Sequence, residues 1–154
     1  MSIIQKNRIC LDENEATISK ELIICTKPDC AFYSQFQETL EVFVMESFAG
    51  GNVFSLSFNH FPKLRLIYIG SFCINNYSHQ FRNVIADDKG EYAFEIQHCP
   101  QLESVMLRSS CCNNFSKFVL SDCEKLSTVE FGRLVLEYAR SLEISCMCYL
   151  IVIY

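Results

Sequence analysis

The sequence predicts a mainly β fold with little helix, in which repeats of about 24 residues stack into a solenoid. Three observations carry this reading. First, Phe94-Glu95-Ile96-Gln97-His98-Cys99-Pro100-Gln101-Leu102-Glu103-Ser104-Val105-Met106-Leu107 aligns without a gap to the segment Phe118–Phe131, so the step from Phe94 to Phe118 sets the period. Both follow F-x-[IL]-x-x-C-x-x-L-x-x-V-x-[LF]. Second, the apolar positions within F-x-[IL] and V-x-[LF] alternate with period two, as in a strand with one buried face. Third, the 154 residues are 50% apolar and 20% charged, enough to fill a core that stacked units share but one unit cannot enclose.

In chain order, residues 1–31 stay outside the repeat. Asp12-Glu13-Asn14-Glu15 reads as an acidic turn, Lys20–Cys25 as a strand capping one end of the stack, and Thr26-Lys27-Pro28-Asp29 as a turn. Residues 32–154 form the solenoid. Its first repeat is weak: Phe32, Leu40, Phe43 and Met45 keep register, whereas polar Ser34 and Gln37 do not. Leu56, Phe58, Phe61, Leu64, Ile67 and Ile69 fit the same template, but the step from Leu56 to Phe94 exceeds the period. One repeat therefore carries a 14-residue insertion near 73–90. After the two strong copies, Leu142, Ile144, Met147, Leu150 and Ile153 fall in the matching slots and should stack on Phe118, Leu120, Cys123, Leu126 and Val129. The sequence stops inside that apolar stretch, which predicts a chain truncated at its C-terminus and prone to self-association through residues 144–154.

Leu102-x-x-Val105-x-Leu107 and Leu126-x-x-Val129-x-Phe131 resemble the L-x-x-L-x-L core of leucine-rich repeats, nearest to the irregular BspA-type subclass, with Cys99 and Cys123 ahead of the strand. The resemblance implies a right-handed solenoid and a protein-binding role. The position after the strand, Asn or Cys in that family, is Phe48, Phe72, Ser110 and Leu134 here, so no asparagine ladder seals the turns.

Motifs for chemistry are weak. Cys25-x4-Cys30 approaches the spacing of half a zinc site, with Cys111-Cys112 or Cys146-x-Cys148 as the other half, but buried thiols explain these cysteines better. His98 and Cys99 are neighbours in an extended segment and point to opposite faces, so they make no nucleophile–base pair. Gly50-Gly51 lacks the Lys-Ser/Thr of a phosphate loop, and Asp87, Asp88 and Glu91 lack the alternation of a calcium loop. No metal, cofactor or enzymatic activity is expected.

With 13 basic and 18 acidic residues, a net charge of −5, the chain carries no basic cluster for nucleic acid. The C-terminal apolar run is too short to cross a bilayer. Its expected partner is another protein, met on the outward positions of the stacked strands: Val42, Val44, Leu66, Tyr68, Ser104, Met106, Arg108, Thr128 and Glu130. The first residues show no apolar signal region, which points to a cytoplasmic protein with reduced thiols. The alternative is a fragment of a secreted or surface-exposed protein, with the sequons at Asn76 and Asn114 glycosylated and some of the 10 cysteines paired.

Overall fold

Period-two alternation becomes ten short strands in the computed structural model, which describes residues 22–25, 36–50, 53–75, 92–146 and 151–153. They are β1 Leu22–Cys25, β2 Val42–Met45, β3 Leu56–Asn59, β4 Leu66–Ile69 and β5 Ala93–Gln97, then β6 Ser104–Leu107, β7 Lys117–Ser121, β8 Thr128–Phe131, β9 Ser141–Ser145 and β10 Ile151–Ile153. Almost no helix is present among the described residues. The strands form two sheets, β1-β2-β4-β6-β8-β10 and β3-β5-β7-β9, and successive strands alternate between them from β2 onwards. Every strand pair is parallel.

The sequence repeat is the hydrogen-bonding register. Val42 pairs with Leu66, Ser104 with Thr128, Phe94 with Phe118 and Phe118 with Leu142, each exactly one sequence period on. Leu56 with Phe94 and Leu66 with Ser104 keep the longer step. Cys73, Ile74 and Asn75, at the start of the expected insertion, are held in the fold. Cys73 and Ile74 are fully buried, and Asn75 donates its side-chain amide to the Ser110 carbonyl at 2.9 Å. Residues 76–90 of the expected insertion lie outside the described residues.

Inward residues of both sheets make one core. Leu102, Val105, Leu107, Leu126, Val129 and Phe131 are buried, while Ser104, Met106, Thr128 and Glu130 are partly exposed, as the alternation requires. A line of rings crosses from sheet to sheet: Phe43–Phe58 at 4.9 Å, Phe58–Phe94 at 6.4 Å, Phe94–Phe118 at 5.2 Å and Phe118–Phe131 at 5.7 Å. Most of these contacts are edge-to-face, the arrangement the ring quadrupoles favour.

The last expected repeat is corrected in part. Leu142 and Ile144 pair with Phe118 and Leu120 as expected, but Ile151, not Ile153, meets Val129. The step from Ser145 to Ile151 is two residues shorter than the equivalent step from Ser121 to Val129, which slips the register by two. Met147 and Leu150 lie outside the described residues. Leu142 is 56% exposed, although its equivalents Leu56, Phe94 and Phe118 are at most 1% exposed.

The turns use a device the sequence reading did not foresee. Every positive-φ residue among those described falls into one of three columns: Phe48, Phe72, Ser110 and Leu134; Gly50, Ile74, Cys112 and Leu136; and His60, His98 and Asp122. Most are residues for which the left-handed conformation is costly. Main-chain bonds between neighbouring units hold them. Phe48 N–H donates to the Ser71 carbonyl, Phe72 N–H to that of Ser109 and Ser110 N–H to that of Arg133, at 2.7–3.1 Å. Ile74, Cys112 and Leu136 donate in the same way to Ala49, Cys73 and Cys111. Backbone groups therefore seal these turns, joined by two asparagine side chains: the Asn75 amide donates to the Ser110 carbonyl, and the Asn113 side-chain oxygen accepts from Glu137 N–H at 2.8 Å.

Candidate functional site

The outward face of the six-stranded sheet carries the residues expected from sequence. Register places Val42, Leu66, Ser104 and Thr128 in one row and Val44, Tyr68, Met106 and Glu130 in the next, with Arg108 just beyond β6. Val42, Val44, Leu66 and Tyr68 form an apolar cluster of their own, separate from the core between the sheets. Arg108 spans this cluster and the polar end of the face: its guanidinium lies 5.5 Å from the centre of the Tyr68 ring and 3.6 Å from the Glu130 carboxylate. At one margin Arg65 meets Glu103 at 3.4 Å, and Lys125 donates to the Gln101 side chain at 2.6 Å. Such exposed pairs contribute about 0–1 kcal/mol each and act mainly to orient the side chains.

One part of the expected face is corrected. Val42 and Val44 are only 9% and 2% exposed, so neither offers open surface. β2 is an inner strand flanked by β1 and β4, and Leu66 and Tyr68 pack against its valines. What remains accessible is the part from Leu66 and Tyr68 through Met106 and Arg108 to Thr128 and Glu130.

Sequence reasoning missed the neighbouring corner. Phe48 and Phe72 stack with their ring centres 5.2 Å apart and their planes 6° from parallel, and Phe48 is 76% exposed. Leu134 stands in the same column and is also exposed. The signal was available, since these residues recur at one slot just after their strands.

The remaining motifs take structural places. Cys99 and Cys123 are buried one unit apart, their sulfurs bonded to main-chain carbonyls at 3.2 Å. The Cys123 thiol contacts the Cys99 sulfur, and this contact together with burial raises the Cys123 pKa. Cys73, Cys111 and Cys112 are buried free thiols. Burial pushes Cys73 up to about 12 and raises Cys112 well above its ordinary value. Cys30 and Cys148 lie outside the described residues, among which no group of three or more His, Cys, Asp or Glu is placed to hold a metal ion. His98 is exposed and turned away from buried Cys99; it stacks on His60 at 4.6 Å and meets Asp122 at 3.5 Å. Gly50 occupies a left-handed turn, as its sequence context predicts.

Of the two sequons, Asn76 lies outside the described residues. Asn114 is 1% exposed and donates its side-chain amide to the Val53 carbonyl at 2.9 Å, so a glycan on that nitrogen is incompatible with this fold. No helix among the described residues is long and apolar enough to cross a membrane. No protein family, no curated protein and no solved structure matches this chain.

Proposed function

We propose that this chain is a non-catalytic protein-interaction module, a leucine-rich-repeat-like solenoid that meets a partner protein on the outer face of its six-stranded sheet. One observation carries the reading: an apolar cluster sits outside the core, on a face whose other outward residues are half-covered Ser104, Met106, Thr128 and Glu130. A sheet face needs no such cluster to fold. An apolar centre with Arg at its border and charges beyond is the composition of a protein-binding patch. The two parallel sheets, the periodic register and the alternation of strands between sheets support the solenoid. The parallel face is a repeated surface, and repeat proteins bind through such surfaces rather than through a single motif. The buried free thiols support a reducing compartment.

The test is photo-crosslinking from defined positions in cells that express the chain. A crosslinking residue at Tyr68 or Arg108 should capture a discrete partner, and one at Glu95, outward on the other sheet, should not. Leu66→Ser combined with Tyr68→Ser should abolish the capture from position 108 while leaving the circular dichroism spectrum unchanged. Equal capture from both sheets would reject the assignment of the face.

A further inference from the structure

The four-stranded sheet ends differently on its two sides. On one side, the Gln37 side-chain amide caps the C-terminal end of β3, donating to the Asn59 carbonyl at 2.7 Å and the His60 carbonyl at 3.0 Å. On the other side, β9 pairs only with β7, and among the described residues no strand lies on its outer edge. The core column Leu56, Phe94, Phe118 and Leu142 shows the consequence. Its first three members are at most 1% exposed, and Leu142 is 56% exposed. Ile144, two residues on, is only partly buried against the core. An unpaired strand edge carrying an open apolar residue is a template for another strand.

The sequence of that edge says which strand fits. Ser141-Leu142-Glu143-Ile144-Ser145 reads the same in either direction, apart from the exchange of Leu for Ile. In an antiparallel pair, directly opposed residues lie on one face of the sheet. A two-fold axis through Glu143 therefore sets Leu142 of one copy against Ile144 of the other, twice, with all four side chains on the core face. Ser141 then opposes Ser145. A parallel strand offered by the far end of a second copy would have to displace Gln37. We propose that two copies of this chain pair β9 against β9 in antiparallel fashion, forming a closed two-fold dimer that joins the two four-stranded sheets. This goes beyond the partner-binding reading, uses the other sheet, and shifts self-association from residues 144–154 to 141–145. A two-fold contact consumes the open edge of both copies and so ends at the dimer. Glu143 is the one discord, because it meets its own copy across the axis. Ser141 Oγ at 3.2 Å and Lys117 Nζ at 3.8 Å from its carboxylate lessen the repulsion.

Sedimentation equilibrium of the full chain from nanomolar to high micromolar concentration tests the dimer. The parent should show a monomer–dimer equilibrium without larger species. Leu142→Lys should weaken it by roughly tenfold or more, as should the milder Leu142→Ser, and Glu143→Gln should tighten it. Circular dichroism of each variant at low concentration checks that the fold is kept. A Glu143→Cys variant places two thiols across the axis, within the Cα separation a disulfide accepts, and mild oxidation should yield a symmetric crosslinked peptide by mass spectrometry. A parent that stays monomeric at high micromolar concentration would overturn the proposal. So would an open series of larger species, or a dimer that Leu142→Lys leaves untouched.

Discussion

The column Leu56, Phe94, Phe118 and Leu142 lets one kind of change be measured in two environments. Phe94 is fully buried, with its ring 5.2 Å from Phe118, 5.4 Å from Phe115 and 6.4 Å from Phe58. Phe94→Ala removes the transfer free energy of the ring and leaves a cavity that the parallel strands on either side cannot close. Such changes cost about 3–5 kcal/mol, and three lost ring contacts place this one near the upper end. Leu142→Ala deletes a side chain that already has over half of its surface in water, so less than half of the usual ~2–5 kcal/mol applies, or about 1 kcal/mol. Urea unfolding followed by circular dichroism reads both, since the chain has no tryptophan. The experiment belongs at a concentration where the chain is monomeric, so that any loss of β9 pairing is not counted. For a chain of this size Phe94→Ala should lower the Tm by roughly 6–20 °C. Equal losses from the two variants, or a Phe94→Ala loss below about 1 kcal/mol, would refute the shared core and the open end together.

Four further outcomes are expected. Gly132→Ala places a Cβ 2.7 Å from the Ser109 main-chain nitrogen, so the backbone must shift, at about 1–3 kcal/mol by denaturant unfolding; an unchanged midpoint would contradict the close approach of these turns. Leu134→Asn puts a residue tolerant of the left-handed region where an exposed leucine now holds φ 56°, and should stabilise the chain by roughly 0.5–1 kcal/mol in the same assay. Stability should fall as pH rises from 9 towards 12. The unfolded chain's thiols lose protons from about 9.0, whereas folded Cys73 keeps its proton to about 12, so the folded state binds more protons in that window. The slope is about 1.4 kcal/mol per pH unit for each such thiol, and unfolding free energies that stay flat between pH 9 and 11 would contradict it. Finally, duplicating residues 94–117 in tandem should add one unit in register and give a folded, longer protein, because each unit contacts only its neighbours. A duplicated chain that unfolds or aggregates would count against the solenoid.

The fold was legible wherever side-chain alternation and the repeat interval agreed. Val105 with Val129 and Phe94 with Phe118 were aligned by sequence and are hydrogen-bonded neighbours in the sheets. The weaker match at Leu56 held as well, because Phe58 and Phe61 keep the apolar slots across the longer interval. Legibility failed where backbone conformation, not hydrophobicity, sets the position. A phenylalanine in a left-handed turn has no signature in composition, so Phe48 and Phe72 read as departures from a family pattern rather than as a stacked pair. It failed again at β10, where a shorter connection moves the register while strong apolar character hides the slip. The face was read with the right parity but the wrong exposure at Val42 and Val44, because parity says which side a residue takes and not whether its neighbours cover it.

The longer step in the register has a consequence for how freely this chain can vary. Every pairing within the sheets closes a loop; β5–β7 and β6–β8 close loops of one period, whereas β3–β5 and β4–β6 close longer ones. The entropy of closing a flexible loop rises only with the logarithm of its length, so the longer closure costs about 0.4 kcal/mol more. That is well below the loss from one truncated core side chain. Closure entropy alone therefore sets little limit on the length of the longer step, while the pairs Ile69–Leu107 and Phe58–Ile96 keep their register. A foreign peptide spliced into the longer step would meet the same small entropic cost, with the register of these pairs unchanged.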